Sequence, residues 1–229
     1  MKKNALWVPV GLAVILMAGA PASARGNGLD NRIEKLTARF EVMQQKPDKR
    51  IPADQLRKAQ GIILLDRTRV GFGFAFEGGT GVALMRDANG NWSPPAFLNS
   101  GEASLGPQFG GEQNFYVILL MTTNETRELA GSVVDFGGVA QGTAGNQSSG
   151  VEGLAVPKDS GLLYSDREGF FGGVAFQGGT VSPDNRADAA YYGRPVTMCD
   201  ILSGKDVRPT PAATRLIQTI LKYSENPQK

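Results

Sequence analysis

The stretch "GIILLDRTRVGFGFAFEGGT" at residues 61–80 returns as "GLLYSDREGFFGGVAFQGGT" at residues 161–180. The two segments align without a gap and share nine of twenty residues, whereas unrelated segments would share about one or two. Each begins with an apolar run, passes through Asp-Arg and ends in Gly-Gly-Thr. We predict that each copy is a strand, a turn at Asp-Arg and a returning strand, so that two related hairpins build the fold.

The glycine pairs that end the two copies, Gly78-Gly79 and Gly178-Gly179, have two interpretations. Consecutive glycine amides can bind an anion, and glycines inside strands also mark bends and close backbone contacts. Neither pair continues into the Lys-Ser/Thr of a phosphate-binding loop. Glu77 precedes the first pair and Gln177 the second, and a carboxylate is a poor neighbour for a bound anion. We therefore favour a scaffold role over an anion site.

The rest of the chain predicts the fold class. The run "NFYVILLMTT" at residues 114–123 is continuously apolar and indicates a central strand that is buried on both faces. A C-terminal helix is predicted at 209–224, with Thr210 as its cap and Pro211 at its first position. We expect an α+β protein: a single β-rich domain, an antiparallel barrel or sandwich built around the two related hairpins, flanked by N- and C-terminal helices.

The first 24 residues have the three parts of a secretory signal peptide. Lys2 and Lys3 precede an apolar stretch, and Ala22-Ser23-Ala24 forms a cleavage site. Removing residues 1–24 takes away two lysines and no acid, so the formal net charge would fall from +2 to zero. The sequence therefore predicts export to the periplasm, the outer membrane or the outside of the cell. Zero net charge disfavours a nucleic-acid partner.

The sequence of 229 residues has no histidine and one cysteine, Cys199. The lack of histidine excludes Ser-His-Asp triads, Cys-His pairs and histidine-ligated metals. No other nucleophile motif occurs, so we predict a protein that is not an enzyme and that uses no cofactor or metal. The remaining enzymatic alternative is a carboxylate pair formed by Asp66 and Asp166, although each Asp would also suit a turn cap beside its own Arg.

Residues 25–53 are predicted to form an amphipathic helical segment with two stripes. The apolar stripe is Leu29, Ile33, Leu36 and Phe40; the basic stripe is Arg32, Lys35 and Arg39, followed by Lys46, Lys49 and Arg50. The apolar face could dock on the domain, as in an ordinary surface helix. Alternatively, it could lie in a membrane surface, with the basic stripe on lipid phosphates. The sequence leaves both alternatives open.

Several motifs, in this order, make the chain similar to the SYLF domain family. They are "GFGFAFEGGTGVALMRDANGNWSPPAFL", "GEASLGPQFGGE", "FYVILLMTT", "YSDREGFFGGVAFQGG" and "YYG…DILSG". The resemblance covers about residues 54–224, and we assign residues 54–226 to a SYLF-like β-rich domain. The residues that carry it are expected to be structural: Gly78, Gly79, Trp92, Pro94, Gly106, Gln108, Gly110, Gly172, Gly173, Gly178 and Gly179.

The resemblance implies binding of phosphoinositides or other phospholipids without catalysis. Our leading hypothesis is a phospholipid-binding protein of the cell envelope, which contacts anionic membrane through the two stripes of the N-terminal segment. Actin binding, which eukaryotic relatives show, is not expected of an exported member. A structural or assembly protein that binds protein partners through its strand edges is the alternative, and a histidine-independent hydrolase is the third. The lipid and the oligomeric state stay open.

Overall fold

The structure is a computed structural model that describes residues 22–123, 134–143, 162–205 and 207–225. Nearly all of the predicted signal peptide of residues 1–24 therefore lies outside the described residues. The helices are α1 (Ala22–Gln45), α2 (Ala53–Lys58), α3 (Asn185–Tyr192), α4 (Met198–Leu202) and α5 (Pro211–Glu225). The strands are β1 (Gly61–Met85), β2 (Ala96–Leu120), β3 (Val134–Thr143) and β4 (Leu162–Pro183). The α+β class with flanking N- and C-terminal helices is confirmed.

The described strands form one antiparallel sheet in the order β1-β2-β4-β3. This sheet is open, so the barrel alternative does not hold. β2 lies in the middle and pairs along most of its length with β1 on one side and β4 on the other. The two copies of the repeat are thus the two neighbours of a single central strand.

The predicted hairpins are wrong, because each copy of the repeat lies within one continuous strand. β1 passes straight through Asp66 and Arg67, which pair with β2 instead of forming a turn. The strand bends further on, where its register with β2 shifts between Phe72 and Phe74. Such bulges bend a strand and increase its twist. The returning half of the expected hairpin is therefore the second half of a bent strand.

The bend brings the two halves of β1 into contact. Glu77 forms a buried ion pair with Arg67, with 3.4 Å between Oε1 and Nε. Gly79 lies against the backbone of Asp66, although a straight strand would hold these residues about 44 Å apart. The sheet consequently folds into two layers. This corresponds to the predicted sandwich, but bent strands form it instead of two hairpins.

The register places a residue and its repeat copy in the same row of the sheet. Asp66 and Asp166 both pair with Phe115 of β2. Arg67 and Arg167 likewise both pair with Asn114. The repeat thus builds two equivalent strands on either side of β2, and residues one hundred positions apart in the sequence lie in one row of the sheet with one β2 residue between them.

Both faces of β2 are buried over residues 114–120, as the apolar run predicts. Phe115 and Val117 belong to a core that also contains residues of α1, α2 and α5. Tyr116 and Ile118 belong to a second core, which is covered by α4. The period of two in a strand sends alternate side chains to opposite faces, so a continuous apolar run fits a strand that is covered on both.

The C-terminal helix closes the first core. Thr210 caps it by accepting a hydrogen bond from the Ala213 N–H at 3.3 Å, and Pro211 is its first residue, as predicted. Its buried side includes Leu216 and Ile220, which face α1 across the core. No helix within the described residues combines the length and the apolar character needed to cross a membrane.

Candidate functional site

The apolar stripe of α1 is packed inside the protein. Ile33, Leu36 and Phe40 are at most 1% exposed, and Leu29 is partly buried against the same core. The ring of Phe40 meets that of Tyr223 on α5 edge-on, with 5.9 Å between the centroids. Of the two alternatives for this helix, the structure shows docking on the domain.

Two cations of α1 and the lysine that directly follows the helix pair with the two aspartates of the repeat. Lys35 and Arg39 contact the two carboxylate oxygens of Asp66 at 2.6 and 3.0 Å. Lys46 contacts Oδ2 of Asp166 at 2.6 Å. We call Lys35, Arg39 and Lys46 the basic edge of α1. These cations are four, seven and eleven positions apart in sequence, a spacing that keeps them on one side of the helix.

The basic edge crosses the sheet along the row Asp66–Phe115–Asp166. Arg39 lies over the ring of Phe115, 5.5 Å from its centroid, so the middle of the row is covered by the same helix that pairs with both ends. The aspartates therefore dock α1 and do not cap turns. Both oxygens of Asp66 contact cations and Oδ2 of Asp166 contacts Lys46, so each aspartate has a structural role in docking α1.

Arg32, another member of the predicted basic stripe, is held by both backbone and side-chain partners. Its guanidinium donates to the carbonyl oxygens of Gly81, at 3.1 Å, and of Leu98, and it forms an ion pair with Asp184 at 3.5 Å. It also lies over the ring of Phe97 at 5.1 Å. Burial lowers its pKa, against the opposing effect of Asp184. Arg32 joins α1 to β1, β2 and the start of α3, so its guanidinium is directed into the protein.

Arg39 is also largely buried, with 14% of its side chain exposed, and the other predicted cations remain nearer the surface. The Lys35 side chain is 60% exposed and that of Lys46 is 36% exposed, even though both form ion pairs. Lys49 is half-buried and Arg50 is exposed, in the segment between α1 and α2. The predicted stripe therefore divides into an inner part that holds the fold together and an outer part that solvent reaches.

Asp188 on α3 is a buried acid that the sequence analysis did not single out. It is 0% exposed, and its Oδ1 accepts a hydrogen bond from the Phe97 N–H at 2.8 Å. Burial raises its pKa to about 7; the Phe97 N–H and Arg32 act in the opposite direction, and Asp184 adds to the rise. Only the tertiary structure reveals this residue, because its neighbours come from α1 and β2.

The raised pKa of Asp188 predicts a pH dependence of stability. The folded state holds this proton more tightly than the unfolded state, so the contribution of the neutral acid is complete below about pH 4 and is lost as the pH rises through about 7. We expect the free energy of unfolding of Asp188→Asn, relative to that of the parent, to rise by up to about 4 kcal/mol between pH 4 and pH 8. Urea unfolding at both pH values measures this, with Asp48→Asn at an exposed position as the control. If variant and parent differ in unfolding free energy by the same amount at pH 4 and pH 8, the pKa of Asp188 is not raised.

Residues 101–223, more than half of the chain, match the family described as "Ysc84: Las17-binding protein actin regulator". The chain belongs to this Ysc84, or SYLF, family. It is 29% identical over 178 residues to LAS seventeen-binding protein 3 of Saccharomyces cerevisiae, which covers 76% of this chain and 39% of the relative. It is 28% identical over 169 residues to human SH3 domain-containing YSC84-like protein 1, covering 72% and 49%.

The chain thus spans about two fifths to one half of the length of these curated relatives. A Xenopus laevis protein named SH3 domain-containing YSC84-like protein 1 is 29% identical over 184 residues, or 78% of this chain and 55% of the relative. No solved structure gives a significant match. The resemblance predicted from the motifs is confirmed, and the names of the relatives describe binding proteins and regulators.

Two glycines of the SYLF motifs have structural reasons to be glycine. A Cβ on Gly79 would lie 2.7 Å from Cα of Arg67 and still closer to the carbonyl oxygen of Asp66. Gly110 has φ of 135°, a conformation that residues with side chains rarely adopt. At Gly78, by contrast, the nearest atom to an added Cβ is 4.0 Å away. The scaffold role is thus visible at Gly79 and Gly110.

The other SYLF motif residues lie on the strands and on the turn between β1 and β2. Trp92 is buried in the first core under Arg86, whose guanidinium is 4.4 Å from the ring centroid, and Pro94 is buried beside it. The register pairs Gln108 of β2 with Gly173 of β4. Gly106 lies on β2, and Gly172, Gly178 and Gly179 lie on β4. Among the described residues, no group of three or more Cys, Asp and Glu side chains could hold a metal ion.

Proposed function

We propose that this protein is a non-enzymatic phospholipid-binding protein of the cell envelope, which attaches to anionic membrane surfaces through cations of the segment that follows α1. The observation that carries the proposal is the charge of residues 46–58. This segment contains five cations and two acids: Lys46, Lys49, Arg50, Arg57 and Lys58 against Asp48 and Asp54. Apart from half-buried Lys46 and Lys49, these cations are exposed.

The free energies involved favour membrane contact by exposed cations over release of α1 from the core. Each cation near an anionic leaflet contributes about 1 kcal/mol. Removing α1 from the core would expose Ile33, Leu36 and Phe40, which costs about 1.5–3 kcal/mol for each side chain, and would also break the ion pairs with Asp66 and Asp166. The cations that already face solvent can approach a membrane without this cost.

Export and location belong to the proposal as well. The three-part pattern of residues 1–24 supports secretion, and an exported chain would meet the periplasmic or outer leaflets of the envelope. Relatives are named as actin regulators and LAS seventeen-binding proteins, which favours a protein partner as the second candidate. Co-sedimentation with F-actin without lipid tests the second candidate for the partner that these names indicate, and binding there would favour it over the first.

Charge reversal at the outer cations should weaken membrane binding. We expect Lys49→Glu with Arg50→Glu, in the chain from Arg25 onward, to lower affinity for phosphatidylglycerol vesicles about 30-fold or more, because two contributions of about 1 kcal/mol are lost and repulsion is added. Co-sedimentation at two salt concentrations measures the effect, which should shrink as salt screens the charges.

The matched control reverses two exposed cations on a different part of the surface, Lys205→Glu with Arg208→Glu. It changes the net charge by the same amount and should reduce binding far less. Equal losses in the two variants would mean that net charge alone drives binding. No binding of the parent chain to anionic vesicles would overturn the proposed function.

A further inference from the structure

One face of α3 lies along the start of β2. The residues of α3 and its cap that make this contact are four positions apart, Asp184, Asp188 and Tyr192, a spacing that places them in one row. The Asp184 N–H donates to the carbonyl oxygen of Phe97 at 2.9 Å, and the Tyr192 hydroxyl donates to that of Pro95 at 2.6 Å. Between them, Oδ1 of Asp188 accepts from the Phe97 N–H at 2.8 Å. We call these three contacts the α3 seam.

The α3 seam takes the place of a neighbouring strand for Phe97. β4 pairs with β2 as far as Leu98, whose partner is Pro183, and α3 begins two residues later. The N–H and the carbonyl oxygen of Phe97 are both bonded to residues of the seam. Because Phe97 is buried, an unpaired backbone group there would cost about as much as a lost hydrogen bond. The seam therefore completes the start of β2.

α3 is held largely by polar contacts. Its buried residues are Ala187 and Asp188, and its two tyrosines are half-buried. The Tyr191 ring meets that of Phe97 edge-on, with 5.0 Å between the centroids, and its hydroxyl donates to Asp30 of α1 at 3.0 Å. Elements that bury few apolar side chains open at a lower free energy than the core of a fold. The hydrogen bonds of the seam therefore contribute much of what keeps α3 in place.

The central contact of the seam suits a neutral acid. The Asp188 side chain is 0% exposed, and its Oδ2 has no hydrogen-bond partner in the described part of the chain. A buried carboxylate needs a paired cation or several N–H donors, and among the described residues the Phe97 N–H is its donor. Arg32, the nearby cation of α1, forms its ion pair with Asp184 at 3.5 Å. Ionised Asp188 is thus poorly compensated in this conformation.

The other charged and titratable groups of this cluster come from α1, from α3 and from the residue that caps α3. They are Asp30, Arg32, Asp184, Tyr191 and Tyr192. β2 contributes backbone groups and has no charged residue between 95 and 99. Burial raises the pKa of both tyrosines, so they stay neutral at pH 8, and Arg32 keeps its charge. Burial also raises the pKa of Asp188 to about 7, which places its change of charge near neutral pH.

We propose that the α3 seam is a pH-sensitive latch, which is closed while the Asp188 carboxyl is neutral and opens when it ionises. Ionisation places a negative charge in a buried contact, and separation of α3 from β2 brings that charge into water. Opening exposes the Phe97 ring and removes Tyr191 from Asp30, so it also loosens the start of α1. The closed state holds the proton more tightly than the open state. Closure is therefore strongest at low pH and is lost as the pH rises through about 7.

Hydrogen exchange of the parent chain at pH 5 and pH 8, measured by mass spectrometry without lipid, tests the latch. Dividing each rate by the intrinsic rate at that pH gives protection factors that can be compared. We expect protection over residues 185–192 to fall at least about tenfold from pH 5 to pH 8. Protection over 116–119, in the buried part of β2, should stay the same, because the sheet remains folded.

Two variants assign the effect to one carboxyl group. Asp188→Asn keeps an oxygen for the Phe97 N–H but cannot ionise, so its protection over 185–192 should be equal at the two pH values. Asp48→Asn, at an exposed position, is the matched control and should lose protection as the parent does. If Asp188→Asn folds poorly, the parent alone decides: the midpoint of its loss has to match the titration of the Asp188 carboxyl followed by NMR.

The pattern of protection decides between the latch and a general effect of pH. A loss that is confined to 185–192 and absent from Asp188→Asn supports the latch. Equal losses over 185–192 and 116–119 would show that the proton on Asp188 stabilises the whole fold, which overturns the inference. Unchanged protection in the parent, the same loss in Asp188→Asn, or a midpoint that differs from the carboxyl titration also overturns it. Because no lipid is present, none of these results depends on the proposed function.

Discussion

Gly79→Ala is expected to destabilise the fold by at least about 3 kcal/mol, the upper part of the range for overpacked substitutions. The added Cβ would meet the backbone of Asp66 and Arg67, and backbone in a paired strand cannot move aside as a flexible side chain can. The two halves of β1 would have to separate, which would weaken the Arg67–Glu77 ion pair between them. Urea unfolding monitored by circular dichroism measures the change.

Gly78→Ala is the matched control, one position away in the same strand. An added Cβ there meets nothing closer than 4.0 Å, and replacing a strand glycine removes an entropic cost of roughly 0.5–1 kcal/mol. We expect this variant to be as stable as the parent or slightly more stable. Similar losses at both positions would show that the layers of β1 are not in close contact at Gly79.

Phe40→Ala is expected to cost about 3–5 kcal/mol of stability in the absence of lipid, as for other buried aromatic residues. The side chain is fully buried and packs on Tyr223 of α5, so its removal leaves a cavity between α1 and the C-terminal helix. Val42→Ala, on the exposed side of the same helix, should change stability by about 0.5 kcal/mol or less.

Comparing Phe40→Ala with Val42→Ala also distinguishes a helix α1 that is docked on the domain from one that inserts into a membrane. If α1 were a detachable membrane helix, Phe40→Ala would leave the unfolding free energy nearly unchanged and would lower vesicle binding. If α1 is part of the core, the loss appears in stability, and any folded variant binds vesicles like the parent. Urea unfolding and co-sedimentation of the same preparation distinguish these results.

Local patterns were sufficient to predict several elements. Apolar residues recur at helical spacing within 25–45 and 209–224. This pattern depends only on residues within about one helical turn of each other, and both helices are present. The continuous apolar run of β2 predicts a strand covered on both faces for the same reason. The motifs around Trp92 and Gly110 were enough to predict the family, because their order along the chain is itself the signal.

The hairpins could not be separated from bent strands by sequence. Asp-Arg and glycine occur in turns, and they also occur where a paired strand docks a helix or lets another backbone approach. The difference depends on whether Asp66 finds its partners locally or elsewhere. Its partners are Lys35 and Arg39 of α1, which lie 31 and 27 positions before it in the sequence.

The sequence by itself determined the α+β class, the two terminal helices, the presence of the repeat and the family. It also identified the basic stripe of α1. Only the tertiary structure decided which of those cations belong to the fold and which face solvent. Lys46 meets Asp166 across 120 positions of sequence, and Arg32 meets Asp184 across 152. Ion pairs between such distant residues depend on strand register and on how the sheet bends, and neither is encoded in the spacing of the charges.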